Sequence, residues 1–305
     1  MGRLFGRGIV HGGAQHGRVH AEEVPTADAA FVAGWDVEMH RAATNVKWIH
    51  AVGGGVNGYL YPEMVDSAVP FTCGKPAFAI PGAEYALAAM LMFSRRNHFA
   101  VGSPPFSQRS DGRDEELLPV DLAGKTAGVL GMGGMGQALA PRAKALGMRV
   151  LGTVRRPREA PEGVDRMFKS AEAPEMVGMS DYVVVAVPLI GETEHLIDER
   201  LLSHMKSTAY IIDCSGRSPI YDYTALKAAL DKRRLAGVCL QPGGPTPDMP
   251  ADDSPFWKRP EVVVTPCRGT STEQEEQCLA LFFDNLRRFE ASRPLLGVVD
   301  KKAGY

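Results

Sequence analysis

The stretch Leu122-Ala-Gly-Lys-Thr-Ala-Gly-Val-Leu-Gly-Met-Gly-Gly-Met-Gly-Gln-Ala-Leu-Ala140 constrains the fold of this chain more than any other. Lys125 to Leu130 is a short apolar run, and Gly131-Met-Gly-Gly-Met-Gly136 follows at once. Gln137 to Leu146 reads as a helix and Arg149 to Val154 as a second strand. Alone, G-x-G-x-x-G is as often an ordinary glycine-rich loop. Between a strand and a helix it becomes a dinucleotide fingerprint. Gly131 permits the tight turn, Gly133 lets a pyrophosphate approach the backbone, and Gly136 lets helix and strand pack closely. The helix N-terminus offers free N–H groups and a positive dipole end to phosphates, and Gly134 and Met135, within the turn that leads to it, are expected to bind the cofactor as well.

The second strand ends Thr153-Val-Arg-Arg-Pro157. A site for NAD carries an acid there to bind the ribose 2′-OH, and this chain has none. Arg155 and Arg156 instead suit a 2′-phosphate through charge-assisted bidentate contacts. Solvated surface arginines are the plain alternative. The expected cofactor is therefore NADP, with NAD second.

At 305 residues the chain is long enough for two domains. A net charge of −2 gives no basic field for nucleic acid or anionic membrane. The apolar runs read as too short and interrupted to span a bilayer. Cys73, Cys214, Cys239, Cys267 and Cys278 are scattered, without C-x-x-C spacing or a His-Cys cluster, so no metal site is expected. Reduced thiols fit a cytoplasmic location. The first twenty residues carry Arg3, Arg7 and Arg18 but no apolar signal core, and a transit peptide stays open.

In chain order, Met1 to His20 is glycine-rich and reads as irregular. Strands are expected at 27–33, 46–52 and 69–73. Gly53, Gly54 and Gly55 follow the second of these, and their N–H groups can converge on an anion or simply turn the chain. His50 lies beside them, structural or catalytic. Pro81 to Arg96 is a helix apolar nearly all round, buried between domains or in a subunit interface. Residues 102–119, rich in Pro, Ser and charge, form a linker. Beyond the glycine turn, strands are expected at 180–188, 208–213, 235–240 and 262–265. Helices are expected at 199–205, 223–232 and 273–290. This alternation argues for a doubly wound parallel sheet, with ligands at the carboxyl ends of its strands. The segments at those ends are Gly131–Gly136, Val187–Pro188, Cys214–Arg217, Gln241–Gly244 and Cys267–Gly269.

These residues resemble the D-2-hydroxyacid dehydrogenase family, of the glyoxylate/hydroxypyruvate reductase type. The resemblance runs from about Ala27 to the end. Lys47 to Asn57 is similar to its substrate-carboxylate loop, Ala83-Glu-Tyr-Ala86 to the opening of its crossing helix, and Leu122 to Gly136 to its cofactor turn. Val187-Pro-Leu189 with Glu192-Thr193 is similar to its nucleotide-flanking strand end, and Asn285 to Arg288 and Val298 to Tyr305 to its closing helix and tail. The resemblance implies an α/β chain in which a Rossmann cofactor domain (102–269) is inserted into a smaller flavodoxin-like substrate domain (1–101 and 270–305). It implies a homodimer and hydride transfer between a nicotinamide and C2 of a small 2-keto or 2-hydroxy acid. Val187, Pro188, Thr193, Cys214, Ser215, Gly216, Gln241 and Gly269 would line the cofactor. Gly54, Gly55, Lys75 and His50 would serve the substrate.

The family places an Arg, a His and a Glu at the reacting centre. Arg217 matches the Arg when aligned backwards from Tyr221-Asp222. The Thr-Pro-His pattern reads Thr265-Pro-Cys267, and the Glu is most nearly replaced by Thr246. Losing His and Glu together is coherent, because a Glu that positions a His has no task once the His is gone. A thiol of ordinary pKa, about 8.5, is a poor general acid at neutral pH. Beside Arg268 and a cationic ring, Cys267 could ionise and act as base or nucleophile. Lys75, Tyr59, Tyr61 and His50 are other proton sources. Three readings remain: a reductase with a changed acid/base, an elimination-type enzyme, and a dinucleotide-binding regulator without catalysis.

Overall fold

The computed structural model describes residues 9–12, 24–100, 118–266 and 271–305. The expected linker, apart from its last two residues, lies outside them, as do Cys267, Arg268 and Gly269. The N-terminal segment carries β1 (Ile9–Gly12), β2 (Ala29–Val32), α1 (Val37–Ala42), β3 (Trp48–Ala51), α2 (Pro62–Asp66) and β4 (Phe71–Cys73). There follow α3 (Ala79–Ser94), α4 (Asn97–Ala100), β5 (Thr126–Leu130), α5 (Gly134–Ala145), β6 (Arg149–Val154), β7 (Arg166–Lys169), α6 (Ala173–Met179) and β8 (Tyr182–Val185). Then come α7 (Glu199–His204), β9 (Tyr210–Asp213), α8 (Tyr223–Asp231), β10 (Gly237–Leu240), β11 (Val262–Val264) and α9 (Thr272–Glu290). Two compact units result, Met1–Phe78 with Ser271–Tyr305, and Ala79–Thr270. The first division falls ahead of α3, where the sequence suggested a break after it.

In the first unit four parallel strands run in the order β1-β2-β3-β4, without a reversal of strand order among the described residues. One face packs Ala30, Val32, Ile49 and Phe71 on Trp35, Val56 and Met64. The other packs Ala29, Phe31 and Trp48 on Phe282 of α9. Ser271 caps α9, its hydroxyl accepting from the Gln274 N–H. β1 corrects the expectation of irregular chain at 1–20. Its pairing with β2 is a main-chain ladder, which no apolar side-chain pattern announces.

The second unit is built on seven parallel strands in the order β11-β10-β9-β8-β5-β6-β7. The order reverses at β5, so the end of β5 is the topological switch point where such sheets bind ligands. Helices cover both faces. Leu130, Val183, Val185 and Ile211 pack with α6, α7 and α8, and Val129, Val150, Val184 and Ile212 with α3 and α5. Burial on both faces explains the continuous β-branched runs that made these strands readable. The helix α3 buries Ala83, Ala86, Met90 and Phe93 but leaves Ile80 and Leu91 more than 40% exposed, so it is not buried all round. The run Lys75–Ser94 is long and apolar enough, by length and composition, to cross a membrane, contrary to the sequence reading; more than half of it is buried within the protein.

Candidate functional site

The glycine turn is built as its spacing requires. Gly131 has φ +93°, and a Cβ there would lie 2.7 Å from the Ala186 carbonyl oxygen and 3.0 Å from Val187. Thr153 at the end of β6 anchors the turn twice. Its hydroxyl accepts from the Gly131 N–H (3.0 Å) and its carbonyl from the Met132 N–H (2.8 Å). Gly133 is the N-cap of α5, makes no side-chain cap, and has nothing within 4 Å of where its Cβ would be. The backbone is therefore open where a pyrophosphate would approach, beside the N–H groups of Gly134, Met135 and Gly136. A Cβ on Gly136 would meet Gly131 O and Val129 at 3.1 Å, so that glycine serves helix–strand packing. The helix begins at Gly134, three residues before the expected Gln137; the sequence placed its start late because glycines read locally as turn.

Three arginines follow β6. Arg155 pairs with Glu192, Nη2 to Oε1 at 2.9 Å, and Arg156 is exposed. Arg158, which the sequence reading passed over, reaches back and donates to the Met132 carbonyl of the glycine turn. Pro188 and Thr193 belong to one closed loop. The Thr193 hydroxyl donates to Pro188 O (2.6 Å) and accepts from the Ile190 N–H (2.9 Å). No acid stands at the strand end itself, so the structure offers cations and open backbone where a dinucleotide's phosphates would lie.

The loop after β9 is organised by Asp213, only 1% exposed. Its Oδ1 accepts from Ser215 N (2.9 Å), Ser215 Oγ (2.6 Å) and Gly216 N (3.3 Å), and its Oδ2 from Gln241 N (3.2 Å). Burial pushes the carboxyl pKa up, and these donors oppose that by favouring the charged form. Gln241 turns its amide inward to Asp213 O (2.8 Å). Gly243 packs where no side chain fits, a Cβ lying 1.9 Å from Gly216 O. The outcome is a rigid 213–217 loop. Arg217 rides on it, its N–H on Ser215 Oγ (3.2 Å), and its guanidinium has no hydrogen bond or ion pair to another described residue. Cys214 turns its thiol toward Gly82 O (3.9 Å), and burial holds it protonated, so only its backbone faces the loop.

Two further hydrogen-bonded groupings were not anticipated, although Thr246, Tyr85 and Thr265 themselves stood in the motifs. Thr246, the nearest counterpart of the family Glu, donates to Asp248 Oδ1 (2.8 Å), while Asp248 Oδ2 accepts from Tyr223 N (2.7 Å). These bonds hold Asp248 below the usual carboxylate range against its burial. The Tyr85 hydroxyl lies 2.9 Å from Thr265 Oγ1 and 3.1 Å from Cys239 Sγ, tying α3 to the end of β11.

In the first unit His50 is a correction. It is fully buried, packed with Phe31, Trp48 and Phe282, with Nδ1 2.7 Å from Thr72 Oγ1. Burial pushes its pKa down to about 4, so it is a neutral core residue and no substrate contact. Both faces of β3 are covered, which alternation alone does not reveal. Gly54 packs against Phe78 and Lys75, Gly55 is exposed, and Lys75 is exposed with Nζ 5.1 Å over the Tyr305 ring. Tyr59 is buried, its pKa pushed up to about 12, and Tyr61 donates to Asp36 O. Among the described residues no cluster of His, Cys, Asp and Glu could hold a metal ion.

Residues 87–269 match the model of the D-isomer specific 2-hydroxyacid dehydrogenase, NAD binding domain. The chain belongs to that family. A glyoxylate reductase from Thermococcus kodakarensis is 33% identical over 242 residues, covering 78% of this chain and 71% of that protein. Among solved structures, the D-isomer specific 2-hydroxyacid dehydrogenase from Xanthobacter autotrophicus, in complex with NADPH and MES, superposes with a TM-score of 0.80. The two are 27% identical, covering 97% of this chain and 90% of that one. The NADPH-dependent glyoxylate/hydroxypyruvate reductase from Sinorhizobium meliloti, in complex with NADP and sulfate, gives a TM-score of 0.78 at 25% identity, covering 92% and 86%. The match spans under half the length of other curated relatives, 48% of a D-3-phosphoglycerate dehydrogenase from Methanocaldococcus jannaschii and 45% of a glyoxylate reductase from Pyrococcus horikoshii. The matched residues 87–269 thus fall within the seven-stranded unit, Ala79–Thr270, which carries the Gly131–Gly136 loop.

Proposed function

We propose that this family member is an NADP(H)-dependent reductase of a small 2-keto acid of the glyoxylate or hydroxypyruvate class. The observation that carries the reading is Arg217. A rigid loop presents its guanidinium on the same sheet edge as the open glycine turn, with no described partner. A guanidinium so held suits a carboxylate and keto oxygen through paired donors. When bound, the dinucleotide supplies the hydride at C2 of the substrate. Gly131, Gly133, Gly134, Met135 and Gly136 would hold its pyrophosphate, and Arg155 and Arg156 its 2′-phosphate. The Val187–Thr193 loop and the backbone of Cys214, Ser215 and Gly216 would flank it, with Gln241 fixing that backbone, and Gly269 is assigned to the cofactor from the sequence pattern alone. The second unit is thereby the cofactor domain. The first is the substrate domain, to which Gly54, Gly55 and Lys75 contribute.

The proton is the step that departs from the family. Cys267 stands at the His position of the sequence pattern, and we assign it the exchange with the substrate oxygen. The apolar Ile80 and Leu91 left exposed on α3 support a homodimer through that helix, which a solution mass twice that of the chain would bear out. The unpaired thiols of Cys73, Cys214, Cys239 and Cys278 support a cytoplasmic location.

The test is oxidation of NADPH by the purified protein with glyoxylate or hydroxypyruvate. Arg217→Ala should lower kcat/KM by about a hundredfold or more while leaving NADPH affinity intact. Cys267→Ser should lower kcat and change its pH profile. Keto-acid turnover indifferent to Arg217→Ala would sink the assignment, and tight NADPH binding without turnover of any keto acid would make the chain a binding protein.

A further inference from the structure

We infer that Glu192 sets the balance between NADPH and NADH at this site, by competing with the 2′-phosphate for Arg155. The inference rests on the proposed role of the arginines that follow β6, and deepens it.

Arg155 and Glu192 come from the strand ends on either side of β5, and meet at 2.9 Å. The backbone that presents Glu192 is fixed. Thr193 closes its loop through Pro188 O and the Ile190 N–H, and the N–H groups of Thr193 and Glu194 both donate to Ile190 O (2.9 and 3.1 Å). The side chains themselves stay wet, 40% exposed for Arg155 and 64% for Glu192. An exposed ion pair of this kind contributes little and is readily exchanged for a stronger partner. A phosphate, with roughly two charges and three acceptor oxygens, is the stronger partner for a guanidinium and displaces the carboxylate.

Displacement leaves Glu192 facing a dianion, a like-charge contact that opposes NADPH. With NADH the sign reverses. The ribose then carries a hydroxyl, which donates to a carboxylate. Glu192 thus supplies, from the loop after β8, the acceptor that a NAD site carries at the end of its second strand and that Thr153-Val-Arg-Arg does not. The site holds both solutions side by side, guanidinium for phosphate and carboxylate for hydroxyl.

The experiment measures Kd for NADPH and NADH on the full chain, by titrating the reduced-nicotinamide fluorescence, for the wild type, Glu192→Gln and Arg155→Ala. Glu192 is exposed, so its replacement by the neutral isostere should leave the fold intact. NADPH should bind about threefold or more tighter in Glu192→Gln and NADH weaker, widening the ratio of the two constants by about fivefold or more. Arg155→Ala should weaken NADPH by about tenfold. A tenfold loss in Arg155→Ala with an unchanged or narrowed ratio in Glu192→Gln overturns the role of Glu192 alone. NADPH affinity unchanged in Arg155→Ala overturns the phosphate role of that arginine, and the competition with it.

Discussion

Two loops on the C-terminal edge of the seven-stranded sheet are held by opposite means. The loop after β5 is shaped by what its residues lack. Gly131 takes a positive φ, Gly133 leaves open space, and Gly136 lets α5 approach, with one threonine as the anchor. The loop after β9 is shaped by a buried charge. Asp213 gathers four donors from Ser215, Gly216 and Gln241, and Gly243 closes against Gly216. In the proposed function the first loop would offer its backbone to a ligand. The second spends its backbone internally, and would thereby offer one side chain, Arg217, to a ligand. The difference fits the roles proposed for them: a phosphate site needs unspent N–H groups, whereas an orienting guanidinium needs a platform that does not move.

Substitutions within the glycine turn test the first half of that contrast most severely. Gly131→Ala places a methyl group against Ala186 O at a φ that L residues avoid, and should cost about 2–4 kcal/mol of stability. Gly133→Ala has an ordinary φ of −79° and open space, so its stability should stay within about 0.5 kcal/mol. Its methyl group occupies the phosphate approach, and NADPH affinity should fall by about tenfold or more. Denaturant melts beside NADPH titrations separate the two. A Gly133→Ala protein that binds NADPH as the wild type does would break the claim that this opening is the phosphate site.

The second half is tested at Asp213. Asp213→Ala strands three N–H groups, that of Gln241 fully buried, and a hydroxyl, and should cost about 2–3 kcal/mol. The variant should also lose activity through Arg217, with kcat falling more than NADPH affinity. Equal loss of both would mean that the two loops are not separable, since the platform would then be supporting the nucleotide as well.

The two loops were not equally legible. The glycine spacing, the flanking strand and the helix are local, so the first loop could be written down residue by residue. The strands beside it were legible because burial on both faces leaves unbroken runs such as Tyr182-Val-Val-Val185. β7 was missed because only Phe168 of its four residues is buried, which leaves no apolar run. α6 was missed because Pro174 and Gly178 disguise its seven residues. The Asp213 platform was hidden for a different reason. Its partner Gln241 is 28 residues away, joined only by the pairing of β9 with β10, and the sequence assigned Gln241 to the cofactor instead. The one local sign was an acid ending an apolar strand, which solvent at a strand end also explains. His50 failed similarly, since α9, from the far end of the chain, covers the face on which it lies. The departure proposed at Cys267 rests on a single letter in Thr-Pro-Cys, and so could be read at once.

The smallest effect should come from the glycine turn's own anchor. Thr153→Val keeps the shape of a side chain that is 4% exposed and removes only the acceptor of the Gly131 N–H. The main-chain bond from Met132 N to Thr153 O survives, so the turn keeps one of its two ties. The expected loss is about 1 kcal/mol, well below that of Asp213→Ala, with NADPH affinity changed less than in Gly133→Ala. If instead Thr153→Val proves as costly as Asp213→Ala, the turn is held as rigidly as the Asp213 platform. The contrast would then be one of ligand chemistry alone, with open N–H groups on one side and a presented guanidinium on the other.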